Sequence, residues 1–344
     1  MTGTNLGKKK DSITEILKSK PNPSSDEVIE QYVDELLNVV TNLFNTPDEI
    51  TSEIDNIVSL LEQTDSFQYV NHACELSAAN SFKLEFPKGF RYQVENTSTV
   101  IDTGKSKSFD FSFFVDPYQF NTEVKNFARK DTNQGRDPVK LFLPRDQSQL
   151  LYDQGLRPDA TCKPAIRAFL KDANDQLQRP SNGLSVMLLC CNSFDEYADA
   201  MECFIGPHGI IQSATPENPQ TGNVSYPDIG ELPNIDAVVI CNLGFFHRCV
   251  IDTAVSKDSY KDGRVCPTDG AIPWSYKGTL PIGFPLRKEK HSNKLLKVFA
   301  NSFHMINGSL SELRKKHPGN LQTAIFELIN LSINQQIAGE NSAT

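Results

Sequence analysis

No apolar run in this chain approaches the roughly 18 residues needed to span a bilayer, and its opening, MTGTNLGKKKDS, carries charge with no apolar stretch behind it. Membrane-spanning and export readings are set aside, and the expected compartment is cytoplasmic. Cysteine is never paired as CxxC. The eight are scattered, and Cys190 and Cys191 sit inside the apolar run VMLLCC, which reads them as small buried hydrophobes and not as zinc ligands. A phosphate loop is missing too: Gly104-Lys105-Ser106 ends like one, but Thr99 stands where the leading glycine is required. Internal repeats and zinc-finger spacings are also lacking.

Basic charge is absent from one long segment. Between Asp26 and Asp65 there are eleven acidic residues and no Lys or Arg, so the formal charge of −9 is concentrated there and the remainder balances at +2. The overall acidity therefore does not exclude a polyanionic partner for the rest of the surface.

At 344 residues the chain can bury a substantial core and is long enough for about two domains. Residues 1–25 read as a mobile arm with a short helix around Ile13 to Leu17. Ser25-Asp26-Glu27 is a helix start, and Val28, Tyr32, Leu36, Val39 and Leu43 recur behind it at helical spacing. A second helix follows Pro47, with Ile50, Ile54, Ile57, Val58 and Leu61 as its stripe. This acidic helical hairpin either completes the core or, folded over basic surface, competes with nucleic acid as an autoinhibitory mimic.

The stretch FDFSFFVDPYQFNTEVKNF, from Phe109 to Phe127, reads as a β-hairpin: Phe and Val flank a turn in Asp116-Pro117-Tyr118-Gln119. With an even loop, for example Pro117-Tyr118, Asp110 falls opposite Lys125 and Ser112 opposite Glu123. These four then share a face, while Phe111, Phe113, Val115, Phe120 and Val124 take the other. An odd loop scatters the charged set unless a bulge restores register. Two nearby carboxylates with a lysine beside them suit Mg²⁺ or Mn²⁺ and metal-assisted phosphodiester hydrolysis.

An Asp on one strand followed by Glu123-Val124-Lys125 on the next resembles the signature of the PD-(D/E)XK nuclease superfamily, although Phe109 and not Pro precedes Asp110. The resemblance extends in order. A helical stretch YVNHACELSAANSF carrying Glu75 precedes the hairpin; PAIRAFLKDANDQLQ and the strand LSVMLLCC follow, so an α-β-β-β-α-β order covers roughly 66 to 193. It implies a restriction-endonuclease-like α/β core, with a mixed central sheet flanked by helices, an N-terminal helical hairpin and a C-terminal helical extension. It also implies that Asp110 and Glu123 hold Mg²⁺ or Mn²⁺, that Lys125 assists the water or transition state, and that Glu75 completes the outer shell. In the following helix Lys163, Lys171 and Gln176 are candidates to reach the site.

The expected division is an arm and acidic hairpin over 1–65, a nuclease-like core over 66–250, and an irregular basic segment with C-terminal helices over 251–344. Arg129, Lys130, Arg136 and Lys140, and the dense run Arg287, Lys288 and Lys290, are candidates to track a phosphate backbone. His247 near Cys249 lacks the nucleophile turn and third group a thiol enzyme needs, and is expected to be structural. The function expected is a metal-dependent endonuclease with nucleic acid as partner, DNA ahead of RNA, serving as the nuclease subunit of a DNA-defence or DNA-processing system. The competing expectation is a noncatalytic nuclease-fold protein that engages a protein partner, or a second copy of itself, through the acidic hairpin.

Overall fold

The computed structural model describes residues 3–63, 65–100, 106–128, 162–205, 212–213, 224–225, 232–255, 274, 276, 279, 281–286 and 295–299. The basic candidates Arg129, Lys130, Arg136, Lys140, Arg287, Lys288 and Lys290, and the final helix that the sequence leads one to expect over Leu321 to Ile337, lie outside these residues.

Four helices precede the sheet: α1 Gly3–Lys18, α2 Asp26–Leu43, α3 Pro47–Glu62 and α4 Phe67–Glu85. Ser25 caps α2 by accepting the Val28 N–H, as its position predicts. Thr46 and Glu49 close a capping box on α3, with Pro47 in the first turn where a missing N–H costs nothing. The short helix expected around Ile13 to Leu17 is present but extends over 16 residues where a mobile arm was expected, with Ile13 and Leu17 buried. Its lysines pair with the acidic helices: Lys9 with Asp55, Lys10 with Asp34 at 2.5 Å, and Lys18 with Asp26 at 3.0 Å and Glu30 at 3.3 Å.

Strands β1 Arg91–Val100, β2 Ser106–Val115 and β3 Tyr118–Phe127 form an antiparallel meander. Helix α5 Cys162–Gln176 crosses over to β4 Gly183–Cys191, which runs parallel to β3. The expected helix, three strands, helix and strand are therefore present in order. Helix α6 Phe194–Ile205 follows, then a two-stranded pair of β5 Gln212–Ser213 and β6 Val224–Ser225. Strand β7 Ala237–Cys241 lies parallel to β4, helix α7 Leu243–Ile251 follows, and β8 Ile282–Pro285 closes the edge antiparallel to β7. The result is a mixed six-stranded sheet in the order β1-β2-β3-β4-β7-β8. No helix among the described residues is long and apolar enough to cross a membrane.

One core lies between the sheet and α1 to α4 with α7; the other lies under α5 and α6. Strand β4 is buried on both faces, which explains its unbroken apolar run. Its cysteines divide accordingly, Cys190 to the first core and Cys191 to the second. At the start of β4, Gly183 has φ +139°, and a Cβ there would meet the Gln119 carbonyl oxygen at 1.7 Å. Only glycine brings the chain back this closely beside β3.

His247 is structural, as expected. Its Nδ1 lies 2.9 Å from the Tyr32 hydroxyl and its Nε2 2.9 Å from Ser77 Oγ, and burial pushes its pKa down to about 3. Tyr32 also bonds Tyr69, and its carbonyl accepts from Trp274 Nε1 at 3.1 Å, so this polar knot ties α2, α4 and α7 together.

Candidate metal-dependent active site

The β2–β3 hairpin turns at Asp116-Pro117, with Val115 opposite Tyr118, and not at Pro117-Tyr118. The loop is still even, so Glu123 and Lys125 keep the face opposite Phe120 and Val124, but each partner shifts by two, and the alternation breaks at Asp110, whose neighbours Phe109 and Phe111 lie in opposite cores. Ser112 faces Asn121 instead of Glu123 and is fully buried; continuing the register sets Asp110 across from Glu123 instead of Lys125. The paired residues end at Phe111 and Thr122. Just beyond, Asp110 Oδ2 accepts the Val124 backbone N–H at 2.6 Å, so the carboxylate occupies the point where the two strands part.

Glu123 and Lys125, two apart on β3, project toward α5. The Lys125 ammonium bonds Glu123 Oε1 at 2.8 Å, Asp172 Oδ2 at 2.5 Å and Gln176 Oε1 at 2.7 Å, which occupies all three of its donors. Of the α5 candidates, Gln176 reaches the site. Lys171 is exposed, and nothing is described of the Lys163 side chain. Asp172, unremarked in the sequence, reaches Lys125 because it lies one turn before Gln176 on the same stripe.

Glu75 enters from α4, on the other side of the sheet. Its Oε1 accepts the Tyr92 hydroxyl at 2.6 Å, and its Oε2 lies 3.5 Å from His72 Nδ1. His72 Nε2 makes a close ion pair with Glu53 of α3. Burial alone would lower the His72 pKa; hydrogen bonds and charge from Glu53 and Glu75 outweigh it and raise the pKa to about 10. Glu53, His72 and Tyr92 were not singled out from sequence, although the i, i+3 spacing of His72 and Glu75 was visible there.

The electrostatics define what this arrangement can accept. Burial, followed by the charges of Glu123 and Glu75, raises the Asp110 pKa well above the carboxylate range. Burial also raises Glu123 to about 7, Glu75 and Asp172 adding to it, against the opposing pull of Lys125. Lys125 itself is raised: the carboxylates around it outweigh its desolvation. Glu123 Oε2 is buried with no hydrogen-bond partner among the described residues. Two carboxyl groups held short of positive charge, offering only oxygen atoms, fit a hard divalent cation. Among the described residues no group of three or more His, Cys, Asp and Glu gathers as a metal cage. That does not weigh against Mg²⁺, which is usually held by one or two carboxylates together with water and substrate phosphate.

A pH dependence follows. Glu123 has a folded pKa above its ordinary 4.5, so the folded state binds the extra proton, and the associated stability is complete below 4.5 and lost as pH rises through about 7. In metal-free buffer, urea melts of the wild type relative to Glu123→Gln should lose on the order of 1–3 kcal/mol between those limits. A flat difference would contradict the charge arrangement. His72 acts in a separate window: its contribution is complete below 6.5 and lost as pH rises through about 10.

A groove of about 550 Å³ runs between the α2–α3 turn and β1, lined by Phe44, Lys83, Arg91 and Tyr92 among others. Tyr92 thus lines the groove and also reaches Glu75. No family model matches the chain, and neither a curated protein nor a solved structure does.

Proposed function

We propose that the protein is a metal-dependent nuclease with a restriction-endonuclease-like core, hydrolysing phosphodiester bonds in nucleic acid, DNA ahead of RNA. The observation that carries this reading is the meeting of Asp110, Glu123 and Lys125 where β2 and β3 separate, with both carboxyl groups driven toward neutrality. Asp110 and Glu123 would hold Mg²⁺ or Mn²⁺, which when bound supplies an activated water and charge stabilisation at phosphorus. Asp110 is the more accessible of the two, and its orientation is fixed by the Val124 N–H. Lys125, its pKa raised, remains an ammonium at neutral pH and so serves as a cation for the developing phosphate charge and not as a base. Asp172 is half-exposed and can release Lys125 toward substrate, whereas Gln176 keeps its stem aimed. The sequence immediately after β3 continues with Arg129 and Lys130, cations suited to the phosphate backbone beside such a site.

The full engagement of the Lys125 donors supports a second reading, in which the cluster is a structural ion network in a noncatalytic interaction protein. Calorimetry with Mn²⁺ separates the two. Micromolar to millimolar binding that disappears in Asp110→Asn supports the nuclease; no binding, with or without nucleic acid, supports the interaction protein. Cleavage assays on duplex DNA, single-stranded DNA and RNA then assign the substrate.

A further inference from the structure

Both oxygens of the Glu75 carboxylate are engaged by protein groups. Tyr92 of β1 donates to Oε1 at 2.6 Å, and the His72 imidazole faces Oε2 at 3.5 Å. A carboxylate stands at each ring nitrogen of His72, so the ring carries both protons and bridges α4 to Glu53 of α3. The two ring nitrogens point to different carboxylates. His72, Glu53 and Glu75 therefore cannot share one metal ion, and the trio is an ion bridge and not a second metal site. The bridge is largely sheltered: Glu53 is 8% exposed, and the side chains of His72 and Glu75 are 13% and 17% exposed. Tyr92 pairs with Phe111, the neighbour of Asp110, in the β1–β2 ladder, so its bond ties Glu75 to the strand that carries the proposed ligand, and the charge of Glu75 contributes to the raised pKa of Asp110 and Glu123.

We infer that Tyr92 and His72 are positioning residues of the proposed metal site, holding Glu75 as a fixed negative charge toward Asp110 and Glu123 and not as a ligand, with Glu53 extending that hold into the N-terminal helices. This rests on the nuclease reading, and it gives α3 a part in the active site that neither core completion nor autoinhibition assigns to it. Metal-bound residues elsewhere depend on such outer partners for roughly 10-fold or more in affinity.

The test is a double-mutant cycle read as Mn²⁺ affinity by calorimetry on the full chain. Glu75→Gln should weaken binding roughly 10-fold without abolishing it, and Tyr92→Phe about 3-fold, because Glu75 keeps its charge but loses a donor. Combined, they should be no weaker than Glu75→Gln alone, since Tyr92 acts only through that carboxylate. His72→Gln should behave as Tyr92→Phe does. Phenylalanine preserves the ring packing on Phe44 at 5.5 Å, so the melting temperature of Tyr92→Phe should stay within a few degrees. A purely structural role would lower melting temperature and leave affinity alone, which would overturn the inference. Additive losses in the cycle would overturn it too, as would Glu75→Gln abolishing binding as fully as Asp110→Asn. A wild-type chain that binds no Mn²⁺ would overturn the nuclease reading along with it, whereas wild-type binding with an additive cycle overturns the positioning roles alone.

Discussion

Glu123→Ala and Lys125→Ala should each abolish metal-dependent cleavage, by on the order of a thousandfold or more, while moving the melting temperature only a few degrees. The two halves of this expectation have one origin. Glu123 is 3% exposed with its pKa raised to about 7, so the folded chain spends free energy to keep it ionised, and its removal relieves that cost. Lys125→Ala deprives Glu123 of its nearest cation, but Glu123 can take up a proton in response, which limits the loss to about 1–3 kcal/mol. Groups that stabilise so little and yet concentrate charge at one point are placed for chemistry. The measurement is turnover of duplex and single-stranded substrates in Mg²⁺ or Mn²⁺, beside thermal melts. Wild-type rates in both variants would remove these residues from catalysis, and unfolding in both would favour the structural ion network.

Helix starts were legible because their signals are local. Ser25 caps within a turn of itself and Pro47 sits in the first turn of α3, and no distant contact can alter that arithmetic. The hairpin was legible for its composition, whereas the parity of its loop stayed open until the pairing of Val115 with Tyr118 made it even. Its register was not, because Asp116-Pro117 and Pro117-Tyr118 carry equivalent turn chemistry; the choice between them moves every partner by two without moving any side chain to the other face. The buried face of α2 was drawn too narrowly. The single stripe included Val28, which is 41% exposed, and omitted Ile29, Val33, Leu37 and Val40, because α2 is packed by neighbours on several sides and buries more than one stripe. Glu53 looked like one more solvated acid on α3. Only the packing of α3 against α4 sets it on His72, and a pattern read along a single helix does not contain that contact.

Removing residues 1–65 should give an insoluble or molten product, and the reason follows from the same packing. Leu36, Val39, Leu43, Ile54 and Leu61 are buried in the first core with Ile13 and Leu17, and each such side chain contributes about 1.5–3 kcal/mol. Their combined loss, roughly 10–20 kcal/mol, is as large as the roughly 5–15 kcal/mol that separates a folded domain from its unfolded chain. The deletion would also uncover Tyr69, Val70 and Leu76 on α4 and leave His247 without Tyr32, in a buried position that now lacks one polar partner. The autoinhibitory mimic predicts the opposite, a soluble truncation that binds nucleic acid more tightly, with the gain largest at low salt. The charge pairing weakens that expectation. The acids of α2 and α3 look uncompensated only while read apart from α1, whose Lys9, Lys10 and Lys18 bond four of them and dilute the negative field a phosphate backbone would meet. Near-UV circular dichroism and sedimentation of the purified truncation decide between the two: a dispersed, native-like chain with tightened DNA binding would restore the mimic, and loss of aromatic signal with aggregation would show that α1 to α3 belong to the core that holds Glu75 in place.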